Sequence, residues 1–248
     1  MDTAVPQYQI VNTTVLDSPM DVFVFLPAGA GPHPGILLAQ HIPMGHTGIE
    51  NDAFTLTTAQ RLADQGYVVA VPFLFHWWPK DAPMERKRTE SRDDWMVADM
   101  KAGLGVLKAQ AGIDPARLAV VGHCWGGRVA WLAGCHIREF VALATFYGGN
   151  IKRALGAGNV APLELSQHIS CPVIGFYGND DTNPSPEDVD DYSAALTAAG
   201  IVHEFHRYDG AGHAFQNFPM PERYRAAASE DAWDKVLAFL DTRVKQAS

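Results

Sequence analysis

A cysteine between glycines, two neighbouring aspartates and a histidine in a glycine-rich loop are the residues of this chain that could do chemistry together. Cys124 lies in Gly122-His123-Cys124-Trp125-Gly126-Gly127, which places a nucleophile between two glycines, each two residues away. A thiolate attacks acyl carbons readily, and an imidazole oriented by a carboxylate can accept and return the thiol proton. These residue types predict nucleophilic catalysis at Cys124.

The acid and the base follow Cys124 in the order that this chemistry uses in sheets of parallel strands. Asp180 and Asp181 come after the apolar run Pro172–Tyr177, and His213 comes after Glu204–Tyr208. Loops at the carboxyl ends of parallel strands meet at one edge of a sheet. His213 is therefore predicted as the base. Either aspartate could orient it, the other serving only the turn.

The surroundings of Cys124 favour a nucleophile over a buried packing cysteine, which is the commoner role of a free thiol. The run Leu118–Gly122 predicts a buried strand, and the apolar positions after Gly127 predict a helix. A sharp strand-to-helix turn needs small residues at Gly122 and Gly126, where a side chain would collide with backbone. The helix N-terminus favours a thiolate, and the N–H of Trp125 would point at a developing oxyanion.

Apolar runs alternate with helical patterns along the chain. The predicted strands are Tyr8–Leu16, Asp21–Leu26, Gly35–Ala39, Tyr67–Val71, Leu118–Gly122, Phe140–Phe146, Pro172–Tyr177 and Glu204–Tyr208. The predicted helices are Phe54–Gln65, Arg92–Ala111, the segment after Gly127, Pro186–Ala199 and Trp233–Val244. Unbroken apolar strands separated by helices are typical of a mostly parallel sheet with helices on both faces, and the β-rich opening predicts an antiparallel N-terminal edge. We predict a single α/β domain over residues 1–248, with an undefined connection at Gly148–Ser170.

Composition excludes several other classes of protein. The chain has 248 residues, of which 47% are hydrophobic and 19% are charged. This composition excludes an intrinsically disordered protein. A net charge of −9 disfavours nucleic acid and anionic membranes as partners. There is no apolar run long enough for a spanning helix, and Met1–Pro6 lacks the features of a signal peptide. The three cysteines form no disulfide pattern and indicate a cytoplasmic protein, with Cys135 and Cys171 in packing roles.

Histidines are frequent, yet their spacing does not favour a metal site. Zinc needs three or four converging ligands, and His33, His41 and His46 are not spaced for one face of a helix. His203 and His206, three residues apart on a strand, should face opposite sides. We therefore predict no metal.

Taken together, these residues resemble the dienelactone hydrolase family of the α/β-hydrolase fold, from about Asp21 to Leu240. The resemblance is carried by Leu37–Gln40, Leu62–Val69, Gly122–Gly127, Asp181 and Gly212–Phe215. It implies hydrolysis of an ester or lactone through an acyl-thioester on Cys124, without metal or organic cofactor. It also implies that Asp181 is the acid, because the family pattern counts from Gly178, and that the N–H of Ile42 is a second oxyanion donor.

The chain departs from the family where the substrate binds. His41 stands where the family has a glutamate that contacts the resting thiol. Asn217 and the stretch Phe73–Trp78 stand where the family has arginines that bind the substrate carboxylate. Imidazole and indole do not replace a bidentate guanidinium. We therefore expect a neutral or aromatic ester or lactone. The residues expected at the pocket are His41, His76, Trp77, Trp78, Trp125, Tyr147 and Asn217.

Two further expectations concern charge. With imidazoles on two sides, the Cys124 thiol should have a pKa below the free-cysteine value of about 8.5, unless His41 only lines the pocket. If the substrate is acidic after all, Lys80 or Arg86 would have to bind its carboxylate.

Several functional alternatives stay open at this point. The chain could be a true dienelactone hydrolase (carboxymethylenebutenolidase), or an α/β-hydrolase scaffold that binds a small aromatic ligand without catalysis. Promiscuous cleavage of other activated esters, such as phosphotriesters, and acyl transfer are chemically adjacent. The expected partner is a small-molecule ester or lactone, and the expected state is a monomer or homodimer.

Overall fold

Eight strands form one mixed sheet in the structure, a computed structural model that describes residues 6–42 and 48–246. The strands are β1 (Gln9–Val15), β2 (Ser18–Phe25), β3 (His33–Ala39), β4 (Val68–Pro72), β5 (Ile113–His123), β6 (Phe140–Phe146), β7 (Val173–Gly178) and β8 (His203–Tyr208). Their order across the sheet is β1-β2-β4-β3-β5-β6-β7-β8. β2 is antiparallel to both of its neighbours, and every later pairing is parallel. The predicted antiparallel N-terminal edge on a parallel sheet is confirmed.

Helices cover both faces of this sheet, as predicted. In the described part of the chain they are α1 (Ala53–Asp64), α2 (Met84–Glu90), α3 (Asp93–Lys108), α4 (Trp125–His136), α5 (Pro186–Ala198) and α6 (Ala226–Leu240). Short 3-10 turns occur at Ile49–Asn51 and Ser166–His168, and a π-helical turn at Asp241–Lys245 follows α6.

The core explains why the apolar patterns were informative. Helix α3 buries the stripe Met96, Met100, Leu104 and Leu107, each at most 4% exposed. Burying a side chain of this size contributes about 1.5–3 kcal/mol, so the stripe fixes the face that α3 turns to the sheet. The central strands are buried on both faces, which is why they lack alternation.

Two helices differ from the sequence-based expectation. Helix α2 was not predicted, because Met84–Glu90 buries only Lys87 and so carries no apolar period. Helix α6 begins at Ala226 rather than Trp233, because its first turn consists of alanines that favour a helix without marking a buried face.

None of the helices described is long and apolar enough to cross a membrane. The first five residues, on which the signal-peptide prediction largely rests, lie outside the described residues.

Candidate active site

Cys124 occupies a one-residue turn between a strand and a helix. Strand β5 ends at His123, and helix α4 begins at Trp125. The backbone of Cys124 has φ 55° and ψ −120°, a conformation that costs free energy in any residue with a side chain. Its N–H donates to the carbonyl of Phe146 at 2.9 Å, which holds the strained residue at the end of the sheet. The thiol is thereby presented at the N-terminus of a helix.

Close backbone contacts account for the two glycines around this turn. A Cβ atom on Gly122 would overlap the carbonyl oxygen of Gly126. A Cβ atom on Gly126 would overlap the carbonyl oxygen of Ala39, at the end of β3. The turn can therefore form against β3 only with glycine at both positions, for the reason argued from the sequence.

The structure brings three of the predicted residues into one chain of hydrogen bonds. His213 Nε2 lies 3.0 Å from Cys124 Sγ, and His213 Nδ1 lies 2.8 Å from Asp181 Oδ2. The other oxygen of Asp181 accepts the N–H of Asn183 at 2.9 Å. Asp180 is exposed, and its backbone N–H donates a hydrogen bond to the carbonyl of Ala211. Of the two aspartates, Asp181 is the one in contact with the imidazole.

Charges and hydrogen bonds in this group favour transfer of the Cys124 thiol proton to His213. Burial opposes ionisation of Cys124, but the hydrogen bond and charge of His213, with the charge of His41, outweigh it and lower the pKa of the thiol. Burial also opposes a charged His213, but hydrogen bonds to Asp181 and Cys124 raise its pKa to about 10. Both directions move the thiol proton to Nε2. The arrangement can therefore present a thiolate beside an imidazolium.

His41 is held by a carboxylate and is close enough to influence the charge of the thiol. Its Nε2 is 2.8 Å from Asp52 Oδ2, and its ring packs against Phe54. Burial would raise the pKa of Asp52, but the hydrogen bond and charge of His41 lower it, so Asp52 is a carboxylate. His123 is fully buried, and burial with the nearby His41 lowers its pKa to about 3. With so low a pKa, His123 is neutral but too weak a base to replace His213.

Replacing His41 with glutamine is expected to raise the pKa of Cys124, because one of the charges that favour the thiolate is lost. The measurement is the rate of iodoacetamide alkylation of Cys124 against pH. Thr55→Val is the matched control, since it removes another hydrogen bond to Asp52 (2.7 Å) and leaves His41 in place. An unchanged thiol pKa in His41→Gln would show that His41 has no electrostatic influence on Cys124.

A cavity of about 500 Å³ opens above Cys124 and His213. The predicted oxyanion donors Ile42 and Trp125 both line it. Its remaining lining consists of Arg88, Thr89, Ser91, Gly149, Asn150, Arg153, Ala154, Leu155, Gly156 and Asn183. Most of this lining therefore comes from the end of α2 and from residues 149–156.

Of the residues predicted at the pocket, Trp125 lines the cavity, but His76, Trp77 and Trp78 lie elsewhere, which corrects that part of the expectation. His76 Nε2 and Trp77 Nε1 are 2.9 and 3.0 Å from the carboxylate of Asp99 in α3. Trp78 Nε1 donates to Glu90 at 2.8 Å. Asp99 is fully buried, and a buried carboxylate needs donors. The loop after β4 therefore turns these polar ring atoms toward α3 and the end of α2 instead of toward Cys124.

The other predicted pocket residues also lie outside the cavity lining. Tyr147 is buried with its ring edge-on to His213, at 5.3 Å between centroids. Asn217 is 4% exposed and its backbone N–H donates to Ala214 at 2.9 Å. Both residues, like His41, support the loops that carry the site and do not line the cavity.

Two arginines that the sequence analysis missed line the cavity. Arg88 on α2 and Arg153 in the irregular connection are both exposed, and neither is ion-paired within the described residues. The cations considered from the sequence are engaged elsewhere, Lys80 with Glu50 at 2.6 Å and Arg86 with Glu90 at 3.0 Å. No sequence signal marked Arg88 or Arg153, because neither lies in a periodic element or a glycine motif.

Within residues 6–42 and 48–246, no three histidine, cysteine, aspartate or glutamate side chains converge as metal ligands would. His203 contacts the hydroxyl of Ser193 at 2.8 Å, and His206 pairs with Glu204 at 2.7 Å. His46 lies outside the described residues.

The parallel sheet, the strained residue between β5 and α4, and the acid and histidine after β7 and β8 define an α/β-hydrolase fold. The model of the dienelactone hydrolase family matches residues 20–244, and the chain belongs to this family of hydrolases. It is 28% identical over 233 residues to a "putative carboxymethylenebutenolidase" of Methylorubrum extorquens, covering 91% of this chain and 78% of that one.

Solved structures show the same fold. A "putative dienelactone hydrolase" from Klebsiella pneumoniae superposes with a TM-score of 0.82 at 24% identity, over 94% of this chain and 98% of that one. A dienelactone hydrolase-like promiscuous phosphotriesterase from metagenomic libraries superposes with a TM-score of 0.79 at 18% identity, over 96% and 98% of the two chains.

Proposed function

We propose that this chain hydrolyses carboxylic esters or lactones through an acyl-thioester on Cys124. The observation that carries the proposal is the continuous contact from Cys124 Sγ through His213 to Asp181, at 3.0 and 2.8 Å, beneath an open cavity. A nucleophile, a base and an orienting carboxylate in this sequence of contacts are what acyl transfer requires.

In the first half of the reaction, the Cys124 thiolate attacks the carbonyl carbon and the carbonyl electrons move to oxygen. The N–H groups of Trp125 and Ile42 stabilise that oxyanion. When it collapses, the bond to the leaving oxygen breaks, and the leaving oxygen takes the proton from His213 Nε2. Asp181 accepts the Nδ1–H throughout and keeps the ring oriented. An alcohol leaves, or the ring of a lactone opens, and the acyl group stays on sulfur.

In the second half, water attacks the thioester carbon. His213 Nε2 takes a proton from that water as the new bond forms, and the same N–H groups hold the second oxyanion. Collapse breaks the carbon–sulfur bond and releases the carboxylic acid. Cys124 leaves as the thiolate, beside a His213 that is again protonated, so the resting state is restored.

The cavity supports an acidic substrate. The expectation of a neutral or aromatic substrate depended on indoles at the pocket and on the absence of arginine there. Trp125 lines the cavity, but Trp77 and Trp78 do not, and the arginines Arg88 and Arg153 do. An exposed guanidinium without a carboxylate partner binds carboxylates well. We therefore propose that the acyl or leaving group carries a carboxylate, and the cavity of about 500 Å³ suits a small molecule.

The proposal is tested by trapping the acyl-enzyme. Mono-p-nitrophenyl succinate is mixed with the protein, the reaction is acid-quenched, and the modified residue is located by peptide mass spectrometry. The expected result is a succinyl thioester on Cys124 alone. Burial raises the pKa of both Cys135 and Cys171 to about 12, so these thiols serve as internal controls. Turnover without a Cys124 adduct, or acylation spread over all three thiols, would refute the mechanism.

The same experiment separates hydrolysis from the alternative of a ligand-binding scaffold, which would form no adduct. Cleavage of phosphotriesters would use the same thiolate and the same N–H donors, and it stays a prediction. We place the protein in the cytoplasm on the strength of its three free thiols.

A further inference from the structure

Residues 149–156, which form one wall of the cavity and include Arg153, have no regular secondary structure. Two buried charges lie directly behind this wall. Arg128 is on α4, four residues after Cys124, and Asp93 is the first residue of α3. Their side chains are 1% and 3% exposed, and Arg128 Nη2 lies 3.1 Å from Asp93 Oδ2, with a second contact between Nη1 and Oδ1.

The remaining hydrogen bonds of this ion pair go to the backbone of the wall. Arg128 donates from Nε to the carbonyl of Asn150 at 3.2 Å and from Nη2 to the carbonyl of Arg153 at 2.6 Å. Asp93 accepts the N–H of Leu155 at 2.8 Å, and its own N–H donates to the Leu155 carbonyl at 3.0 Å. Three wall residues are therefore fixed through main-chain atoms.

A buried ion pair is an expensive way to join two helices, because desolvation of both charges offsets much of their attraction. Apolar side chains of similar size would join α3 to α4 at least as well. They could not, however, satisfy the carbonyl and N–H groups of an irregular segment, which charged donors and acceptors can. The contacts of Asp93 and Arg128 with the wall are thus the feature that hydrophobic packing would not reproduce.

We propose that Asp93 and Arg128 are positioning residues that hold Arg153 at the cavity and thereby set the preference for acidic over neutral substrates. The inference rests on the proposed function, in that Arg153 is taken to face the substrate of Cys124. Neither Asp93 nor Arg128 lines the cavity, so both act through the wall. Loosening the wall should therefore weaken binding of an anion more than it slows the chemistry at the thiol.

The experiment compares alkylation of Cys124 by iodoacetate and iodoacetamide, two reagents of similar size that differ in charge. The ratio of the two rates reports how strongly the cavity favours an anion, and it needs no ester turnover. Asp93→Asn keeps the shape of the side chain and removes its charge. The loss of this negative charge would by itself favour the anionic reagent, so a fall in the ratio reports the loosened wall. We expect the iodoacetate-to-iodoacetamide ratio to fall roughly threefold to tenfold, with the iodoacetamide rate within about twofold of the unsubstituted protein.

Asn159→Ala provides a second variant that leaves the buried charges in place. Asn159 donates to the carbonyl of Leu155 at 2.7 Å, so its loss should loosen the same wall and lower the ratio in the same direction. Leu104→Ala is the control for general destabilisation, because it creates a cavity in α3 away from the wall. Its ratio should stay unchanged although its melting temperature falls.

Arg153→Gln separates this inference from the proposed function. If Arg153→Gln lowers the ratio and neither Asp93→Asn nor Asn159→Ala does, the positioning role is overturned while anion recognition stands. If Arg153→Gln itself leaves the ratio unchanged, the proposed contact of Arg153 with the substrate carboxylate fails as well, and the inference fails with it. A lowered ratio in Arg153→Gln and in the wall variants, with Leu104→Ala unchanged, supports the inference.

Discussion

Asp181→Asn is expected to lower kcat for ester hydrolysis roughly a thousand- to ten-thousand-fold, the range typical of a lost orienting carboxylate. Asp181 accepts the Nδ1–H of His213 at 2.8 Å, and the raised pKa of His213 depends on that contact. Without the carboxylate the pKa of His213 falls, the thiol keeps its proton, and the ring loses its orientation. KM should change little, because Asp181 is 5% exposed and does not line the cavity.

Asp180→Asn is the matched control for this prediction. Asp180 is adjacent in the chain and exposed, and its backbone N–H to Ala211 persists in asparagine. The kcat of Asp180→Asn should stay within about twofold of the unsubstituted protein, since a surface substitution away from buried contacts has little effect on stability or structure. Steady-state kinetics with one acidic ester measures both variants. Equal losses in the two variants, or activity above a tenth in Asp181→Asn, would remove Asp181 from the mechanism.

The parts of the site that could be predicted from the sequence are those fixed by local backbone constraints. Gly122 and Gly126 are needed because neighbouring carbonyl oxygens occupy the space of a Cβ atom, and that need is visible in the motif itself. The order of Cys124, Asp181 and His213 was informative because parallel strands bring their carboxyl ends to one edge. The choice between Asp180 and Asp181 required either a family pattern or the structure.

The lining of the cavity could not be predicted, because it depends on where irregular segments fold back. Trp77 follows β4, whose carboxyl end lies at the same edge of the sheet as the site. Its indole N–H nevertheless donates to the buried carboxylate of Asp99 in α3. The position of Asp99 beside Met100, on the apolar face of α3, is consistent with a buried carboxylate. The sequence does not indicate which side chains donate hydrogen bonds to it. Arg153 lies at the cavity in a segment that has no periodic pattern and that buried Arg128 and Asp93 bind through its backbone.

The second large effect is expected on the choice between acidic and neutral esters. Mono-p-nitrophenyl succinate and p-nitrophenyl butyrate share a leaving group and differ in a terminal carboxylate or methyl group. Arg153→Gln and Arg88→Gln should each lower kcat/KM for the succinate roughly 10- to 100-fold, because a hydrogen bond to a charged group contributes about 1.5–3 kcal/mol. For the butyrate, kcat/KM should change less than about twofold, since no anion is bound.

Two neighbouring cations provide matched controls, because Arg86→Gln and Lys152→Gln remove the same charge from positions outside the cavity lining. Arg86 pairs with Glu90 at 3.0 Å and Lys152 with Asp188 at 3.1 Å, so neither is free to bind substrate. If the surface field alone attracted the acidic ester, these variants would lower its kcat/KM as much as the cavity variants, and added salt would abolish the difference. Direct contact instead predicts a loss confined to Arg88 and Arg153. If kcat/KM fell by the same factor for both esters, the arginines would support the catalytic residues and would not select the substrate.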